Sequence, residues 1–170
     1  MHVAAGDHGV VALELAGTAA DFRQRLARRL GGPVLLAGPG TPRAWQATLA
    51  AATRQLDEYL AGRRTRFDVP VDLDGLSPWD RRVLDAARLL AYGEVVTYAG
   101  LARAIGRPGA ARAVGGSLGR NPVPVVIPCH RIVASNGSLG RYGGRTNGSR
   151  VQLLAVKRSL LALEGARVAG

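Results

Sequence analysis

The chain is organised around one stretch, Asn121-Pro122-Val123-Pro124-Val125-Val126-Ile127-Pro128-Cys129-His130-Arg131-Ile132-Val133. Its three prolines exclude a helix interior, because each removes a backbone N–H and crowds the preceding turn. The apolar run from Val125 to Ile127 predicts a short extended segment that enters the core, and Pro128 is expected to turn the chain at the cysteine. The stretch therefore predicts a rigid, buried backbone that presents Cys129.

Cys129 is the only cysteine in the chain, and His130 and Arg131 follow it directly. The thiolate is the attacking form of cysteine, and cationic or basic neighbours lower the pKa of a thiol. These neighbours make Cys129 a candidate nucleophile. A single cysteine after an apolar run is more often a small buried hydrophobic residue. The stretch by itself leaves both interpretations open.

Composition bounds the class of protein. A chain of 170 residues with 47 % apolar and 21 % charged residues is typical of a globular protein with one domain or two small ones. The single cysteine excludes a disulfide framework and a multi-thiolate zinc site, and His2 and His8 lack further ligands at metal-binding spacing, so we expect no metal. No apolar run reaches the roughly 20 residues of a membrane span, and the N-terminus lacks a signal-peptide pattern. We expect a cytoplasmic protein with no membrane contact.

Charge is distributed unevenly along the chain. Residues 1–76 carry nine arginines and eight acidic residues, whereas residues 77–170 carry fourteen lysines or arginines and four acidic residues. A nearly neutral half followed by a strongly basic half predicts a polyanionic partner for the second half, with nucleic acid the first candidate. A general surplus of surface arginine is the alternative.

The first half contains patterns of a small α/β domain. Residues 3–15 combine short apolar stretches with glycines, which predicts an early β-hairpin. Asp21 is a candidate N-cap for a helix whose apolar face holds Phe22, Leu26 and Leu30.

Further elements follow before the expected boundary. Residues 34–36 predict a possible strand, residues 43–60 show a helical apolar pattern, and residues 67–73 alternate as a half-buried edge strand does. We find no chemistry in this half. We predict two domains, residues 1–76 as a structural domain and residues 77–170 as the domain that carries the activity.

The second half begins with a helix and a helix-turn-helix pattern. Ser77 and Pro78 predict an N-cap followed by proline at the first helical position, with the helix ending at Tyr92-Gly93. Thr97 predicts the N-cap of a second helix, and residues 106–109 form a glycine turn before a third helix of small residues. Such a helix can approach a DNA groove closely or pack tightly inside the protein.

The chain after the cysteine predicts a turn, a loop and a last helix. Residues 135–138 are typical of a hairpin-type turn. The loop Gly140-Arg141-Tyr142-Gly143-Gly144-Arg145 lacks the lysine and the strand-then-helix context of a phosphate loop, so we predict no nucleotide site. It suits a lid over a pocket or a linker. Residues 151–163 predict an amphipathic helix that ends at Glu164-Gly165.

Several motifs together resemble a known family. They are Tyr92-Gly93-Glu94-Val95-Val96-Thr97-Tyr98, Ala111-Arg112-Ala113-Val114-Gly115, Asn121-Pro122, Ile127-Pro128-Cys129-His130-Arg131-Ile132 and Tyr142-Gly143-Gly144. In this order they resemble the O6-alkylguanine-DNA alkyltransferases, also called methylated-DNA–protein-cysteine methyltransferases. The resemblance is dense over residues 77–145 and returns at residues 157–164.

The resemblance implies an α/β (α+β) fold in two parts. The first is a small N-terminal sheet-plus-helix domain, ribonuclease H-like by analogy. The second is a mainly helical C-terminal domain with a helix-turn-helix and the Pro-Cys-His-Arg segment. Residues 145–156 form an extra basic stretch relative to the family pattern, which could extend the lid, touch DNA or be a surface excursion.

The resemblance also implies a catalytic set. Members of the family move an alkyl group from O6 of guanine onto a cysteine and do not regenerate the thiol, and here Cys129 matches that cysteine. His130 would take the thiol proton through a water, and Glu164 would hold the imidazole in the useful tautomer. Tyr98 would donate a hydrogen bond to the departing guanine. Asn121 would brace the turn before the cysteine.

The remaining matches concern DNA and the pocket. Arg112 would fill the gap left by the flipped nucleotide, with access from the minor groove. The other expected DNA-contacting residues are Ala111, Ala113, Gly115, Thr97 and Arg120. The expected pocket and lid residues are Pro124, Tyr142, Gly143, Gly144 and Lys157. For Arg131 we expect a contact with a DNA phosphate.

The function expected from these matches is single-turnover repair of O6-alkylguanine in duplex DNA, with O4-alkylthymine as a second candidate substrate. The resemblance implies no cofactor, and we expect a monomer with no obligate protein partner. Three alternatives remain: a lesion-sensing alkyltransferase-like protein, a helix-turn-helix regulator with an inert cysteine, and a cysteine hydrolase. The first normally lacks the cysteine, the second needs base-reading side chains, and the third needs an oxyanion hole.

Overall fold

A computed structural model describes residues 1–143 and 149–166, and its contacts divide the chain into two units, Met1–Asp72 and Leu73–Gly170. Mixed α/β elements form the first unit, and the second is mainly helical, which confirms the predicted fold class. Within the described ranges, none of the helices has the length and apolar character needed to span a bilayer.

The N-terminal unit is built on the predicted hairpin. Strand β1 (His2–Gly6) pairs antiparallel with β2 (Gly9–Glu14), with a register irregularity after Ala4. All of β2 is buried, since α2 (Arg43–Leu60) packs on both strands and α1 (Ala19–Leu30) supplies further apolar side chains. The prediction of a hairpin is confirmed.

Helix α1 begins earlier than the sequence analysis expects. Thr18 is its N-cap, and the Thr18 side chain accepts a hydrogen bond from the Asp21 N–H, so Asp21 lies in the first turn. Phe22 and Leu26 are buried as predicted, but Leu30 is 52 % exposed. The apolar face ends one turn before the helix does.

The segments after α1 and α2 only partly follow their patterns. Residues 34–36 form no strand, and Leu35 is 81 % exposed. Helix α2 has the predicted bounds. Residues 67–73 make only a short parallel contact with Val10, whose N–H donates to Pro70 O and whose carbonyl accepts from the Asp72 N–H, each at 2.9 Å. The edge strand is therefore reduced to a single bridge.

The C-terminal unit starts with α3 (Pro78–Arg88). Ser77 is its N-cap, as predicted, and its hydroxyl accepts from the Asp80 N–H at 3.1 Å. The helix ends at Arg88 rather than at Tyr92-Gly93, and the exposed Leu89 follows it. The predicted length was wrong by about one turn, because the alanine-rich pattern continues past the last buried residue, Ala87.

The helix-turn-helix is present. Thr97 caps α4 (Tyr98–Ala104) by accepting from the Gly100 N–H at 3.0 Å, and a turn with left-handed glycines leads to α5 (Ala111–Leu118). Short strands β3 (Val96–Thr97) and β4 (Ile132–Val133) pair in parallel. Helix α4 follows β3 directly and the Cys129–Arg131 turn leads directly into β4, so this pairing joins the start of the helix-turn-helix to the segment that carries the cysteine.

The last helix, α6 (Arg150–Leu163), confirms the prediction for residues 151–163. Ser149 and Gln152 form a capping box at its start, and Glu164 is its C-cap. Its buried residues are Lys157, Leu160 and Leu161. The helix thus delivers Lys157 and Glu164 to the interior of the C-terminal unit.

Candidate active site

The backbone before the cysteine is a tight turn rather than the extended segment that the sequence predicts. The Ile127 N–H donates to Val123 O at 3.0 Å, and Val125 between them has φ 74°. The left-handed region is costly for a β-branched residue. The stretch is nevertheless buried, as expected, and the buried Val125 side chain occupies the core.

Pro128 then redirects the chain at Cys129. Its φ of −82° and ψ of 61° are those of an inverse γ-turn, which the Cys129 N–H closes by donating to Ile127 O at 2.8 Å. Residues Cys129–Arg131 continue as a single 3₁₀ turn. The prediction that Pro128 turns the chain at the cysteine is confirmed.

Asn121 braces this turn from behind. Its side-chain Nδ2 donates to Ile127 O at 2.9 Å, and its Oδ1 accepts from the Val123 N–H at 3.0 Å. One amide therefore satisfies backbone groups on both sides of the turn. The same side chain also acts to lower the pKa of the Cys129 thiol.

Cys129 is buried, with 7 % of the residue exposed. Burial raises the pKa of the thiol above its ordinary value, and this effect exceeds the opposing hydrogen bond from Asn121 and the positive charge of Lys157. The resting group at neutral pH is therefore a protonated thiol. A base is needed before it can attack.

That base stands beside Glu164. His130 is fully buried, and its Nε2 lies 3.0 Å from Glu164 Oε1. Burial lowers the pKa of His130, the Glu164 carboxylate opposes this, and the charges of Arg131 and Lys157 lower the pKa further. The imidazole is neutral at rest. Since its Nε2–H donates to the carboxylate, Nδ1 carries the lone pair that can accept a proton.

Arg131 completes the network instead of reaching towards solvent. Its Nε donates to Glu164 Oε2 at 2.8 Å, its Nη2 donates to Oε1 at 2.6 Å, and its Nη1 donates to Leu90 O at 2.6 Å. The residue is 5 % exposed, so the expected phosphate contact was wrong. An arginine inside an otherwise apolar run was the sequence signal for a buried partner.

The Tyr92-Gly93 turn locks the same carboxylate from the other side. The Gly93 N–H donates to Glu164 Oε2 at 3.1 Å, and the Tyr92 hydroxyl donates to Leu163 O at 2.9 Å. Gly93 has φ 78°, and a Cβ there would lie 2.9 Å from Glu164 O. The glycine is required by both its conformation and this close approach.

Tyr98 lies under the loop that follows β4. Its hydroxyl donates to Arg141 O and accepts from the Arg141 N–H, each at 3.3 Å. A Cβ on Gly140, which has φ 70°, would lie 2.8 Å from the same hydroxyl. Burial raises the pKa of Tyr98, so the phenol keeps its proton and remains a hydrogen-bond donor.

Lys157 is a fully buried ammonium. Its Nζ donates to Ile132 O at 2.5 Å, Leu139 O at 2.6 Å and Arg141 O at 3.4 Å. Burial lowers its pKa to about 8, partly offset by Cys129. Lys157 therefore ties α6 to the loop over Tyr98 and places a positive charge near the thiol.

A cavity of about 820 Å³ opens onto Cys129. It brings together eight of the residues predicted from the sequence, namely Cys129, Tyr98, Ala111, Arg112, Gly115, Arg120, Tyr142 and Gly143. Other predicted residues do not line it, namely Thr97, Ala113, Asn121, Pro124, His130, Lys157 and Glu164. Pro124 lies buried in the turn, and Lys157 hydrogen-bonds to carbonyls of the loop that lines the cavity, so their expected part in the substrate pocket and lid stays a prediction. Gly144 lies outside the described residues.

The residues expected to meet DNA differ in their surroundings. Arg112 and Ala113 are exposed on α5, whereas Thr97 caps α4. Arg120 is ion-paired with Asp80, which the sequence analysis missed. Asp80 shares the buried face of α3 with Val83 and Ala87, and this spacing was the available signal. In residues 1–143 and 149–166, no grouping of three or more His, Cys, Asp or Glu side chains could hold a metal ion.

Family comparisons match most of the chain. Residues 78–166 match the family model described as "6-O-methylguanine DNA methyltransferase, DNA binding domain". Residues 1–73 match the model described as "6-O-methylguanine DNA methyltransferase, ribonuclease-like domain".

Individual proteins agree with these models. A methylated-DNA–protein-cysteine methyltransferase of Mycolicibacterium paratuberculosis is 46 % identical over 115 residues, 68 % of this chain and 64 % of the relative. The constitutive enzyme of that name in Bacillus subtilis is 40 % identical over 110 residues, 65 % of this chain and 66 % of the relative. The matched stretches thus span slightly less than two thirds of these relatives. The structure of Mycobacterium tuberculosis OGT in complex with DNA superposes with a TM-score of 0.70 and 32 % identity, over 95 % of this chain and 84 % of that one.

Proposed function

The chain belongs to the 6-O-methylguanine DNA methyltransferase family, and from this premise we propose that it repairs O6-alkylguanine in duplex DNA by moving the alkyl group irreversibly onto Cys129. One observation carries the proposal. Cys129, the single thiol of the chain, lines a cavity, and the next residue, His130, is buried and hydrogen-bonded to Glu164.

The transfer is a single displacement at a saturated carbon. His130 takes the thiol proton through a water, and the Cys129 thiolate attacks the alkyl carbon, so an S–C bond forms as the C–O6 bond breaks. The electron pair of that bond goes to the guanine, which regains a proton and leaves as neutral guanine. The net change moves one proton from the thiol to the base and one alkyl group from O6 to sulfur.

The protein side chains divide this work. Glu164 keeps the proton-accepting nitrogen of His130 directed away from itself, because the other nitrogen is hydrogen-bonded to the carboxylate. Asn121 and Lys157 oppose the rise in pKa that burial causes in Cys129, so they favour the thiolate. Tyr98 donates a hydrogen bond to the departing base once Arg141 releases the hydroxyl.

The substrate must leave the duplex to reach the sulfur, because O6 of guanine is stacked and paired in the helix. The helix-turn-helix of the C-terminal domain approaches the minor groove, and the exposed Arg112 on α5 fills the vacated stack. Small residues at Ala111, Ala113 and Gly115 permit a close approach. The N-terminal domain has a structural role. The protein acts on DNA in the cytoplasm.

Intact-protein mass spectrometry tests the proposal. The native chain and Cys129→Ser are incubated with a duplex that carries one O6-methylguanine, and with the same duplex carrying guanine. We expect one added methyl on the native chain only, with the damaged duplex only, and a stop at one equivalent. Tight binding of the damaged duplex without any gain in mass would reject the transfer and leave a lesion sensor.

A further inference from the structure

The Asp80 carboxylate forms an ion pair with one edge of the Arg120 guanidinium. Arg120 Nε donates to Asp80 Oδ2 at 2.8 Å, and Arg120 Nη2 donates to Oδ1 at 2.5 Å. The carboxylate lies in the first turn of α3, and the arginine follows the end of α5. This two-point contact fixes the plane of the guanidinium as well as its position.

The carboxylate is held as firmly as the arginine. The side chain of Asp80 is 7 % exposed, and the hydroxyls of Ser77 and Ser117 act with Arg120 to lower its pKa. Arg120 is the largest of these influences, and together they lower the pKa of Asp80 to about 2. Asp80 therefore stays ionised at any pH at which the protein works, and it does not swing out to follow Arg120.

The opposite edge of the guanidinium is open. Within the described ranges, Nη1 of Arg120 has no hydrogen-bond partner, and the side chain is 37 % exposed. A Cβ at Gly116 would lie 3.5 Å from Nη1, so the absence of a side chain there leaves this edge uncovered. Arg120 also lines the cavity that contains Cys129.

We propose that Asp80 is a positioning residue that holds Arg120 with its open edge turned to a DNA phosphate beside the Cys129 cavity. One guanidinium then joins a protein carboxylate to the nucleic acid backbone, because its two edges can be used at once. The buried carboxylate pre-orients the arginine and so reduces the entropy lost when the phosphate binds. This inference rests on DNA being the substrate in the proposed function.

The decisive variant is Asp80→Asn, with Asp74→Asn as its matched control. Both changes remove one negative charge from the C-terminal unit, but Asp74 pairs with Arg81 on the surface, where the two side chains are 65 % and 47 % exposed. Simple electrostatics predicts tighter DNA binding by both variants. We expect Asp74→Asn to bind a duplex as tightly as the native chain or slightly tighter. We expect Asp80→Asn to bind about tenfold more weakly, the loss of one charge-assisted contact.

The salt dependence separates positioning from a loss of folding. We expect the slope of log K against log salt to become less steep by up to about one in Asp80→Asn, because one phosphate contact is lost, and to keep its native value in Asp74→Asn. Melting curves identify the folded fraction of each sample. Arg120→Lys is the second variant. It keeps the charge, but the compact ammonium cannot reproduce the planar two-point contact with Asp80 that fixes the direction of the open edge, so we expect weaker binding with native net charge.

Two outcomes overturn the inference. One is binding by folded Asp80→Asn that equals or exceeds that of Asp74→Asn, and the other is native affinity in Arg120→Lys. The proposed function has a separate test, since alkyl transfer is measured by mass. If the native chain transfers the methyl group and Asp80→Asn binds DNA normally, only the inference about Asp80 is rejected. If the native chain binds DNA but does not transfer the methyl group, only the proposed function is rejected.

Discussion

The two units of the protein differ in the number of charged side chains that they bury. In the N-terminal unit, Met1–Asp72, Glu14 is the single buried charged residue, and its partner Arg25 is partly exposed. The C-terminal unit, as far as the structure describes it, buries five acidic or basic side chains, namely Asp80, His130, Arg131, Lys157 and Glu164. Both units have an apolar core, so the contrast lies in the charges.

This difference shows that apolar packing is enough to stabilise a fold, whereas buried charged groups are kept for another purpose. Buried ion pairs contribute little net stability, since desolvation opposes their attraction, whereas apolar packing stabilises without that cost. The N-terminal unit is held by residues such as Val10, Leu56 and Tyr59. The C-terminal unit carries buried charges that cost stability when one partner is lost, and the network of His130, Arg131 and Glu164 begins at the residue that follows the one thiol.

Removing an arginine from each unit tests this contrast most strongly. Arg131→Met leaves the buried Glu164 carboxylate without its bidentate partner, and we expect a loss of about 3–5 kcal/mol in the free energy of unfolding. Arg25→Met removes the partner of Glu14 at a partly exposed site, and we expect about 1 kcal/mol or less. Urea unfolding followed by circular dichroism measures both. Equal losses would show that the two units do not differ.

The next largest expected effect is the decrease in the free energy of unfolding at low pH that protonation of Asp80 causes. The pKa of Asp80 is about 2 in the folded protein and 3.8 in its ordinary state. A lowered pKa stabilises the fold above the ordinary value, and this contribution, about 2 kcal/mol, is lost as pH falls from about 4 to about 2. Unfolding free energies across that range should fall more steeply for the native chain than for Asp80→Asn. Parallel profiles would contradict the assignment.

Two neighbouring valines give a smaller, internally controlled effect. Val125 and Val126 are both buried in the turn before the cysteine, but only Val125 has a positive φ. Glycine at either position loses a buried side chain, and glycine at 125 also relieves backbone strain. We therefore expect Val126→Gly to destabilise the protein by about 1–2 kcal/mol more than Val125→Gly. Thermal and urea unfolding measure the difference, and the reverse order would argue against strain.

Helix caps should show the smallest effect and no contrast between the units. Thr18 caps α1 and Thr97 caps α4, each by accepting a backbone N–H three residues on. Replacement of either by alanine should cost about 1 kcal/mol, since both caps work in the same way. Similar losses of unfolding free energy in the two variants would show that the units differ in their buried charges and not in their helix caps. A much larger loss of unfolding free energy for Thr97→Ala would show that the two units also differ in the backbone of the helix-turn-helix.

Regular, local patterns were predictable from the sequence. The hairpin, α2, the helix-turn-helix and α6 follow from hydrophobic periodicity and capping residues, which act within a few positions. The helix start at Ser77 was predictable because the cap and the first-turn proline are adjacent, but its end was not. The stop at Arg88 depends on which alanines find a packing partner, and periodicity alone does not contain that information.

Features that depend on distant partners were less predictable. The turn at Val125 contradicts the extended conformation that valines favour, and the bracing by Asn121 and the surrounding core impose it. Arg131 meets Glu164 across 33 residues, and Arg120 meets Asp80 across 40. The thiol and its histidine were recognised because they are adjacent. The residues that hold them in place were harder to find because they lie on other elements.

The three carbonyl oxygens around Lys157 have a consequence for the ionic conditions that the protein tolerates. Carbonyl cages of this kind hold potassium ions elsewhere, where oxygens replace the hydration shell. Here the cation is a side chain anchored to α6, so it cannot exchange with the solution. A tethered cation therefore keeps the loop over Tyr98 in place whether sodium or potassium is present in the solution.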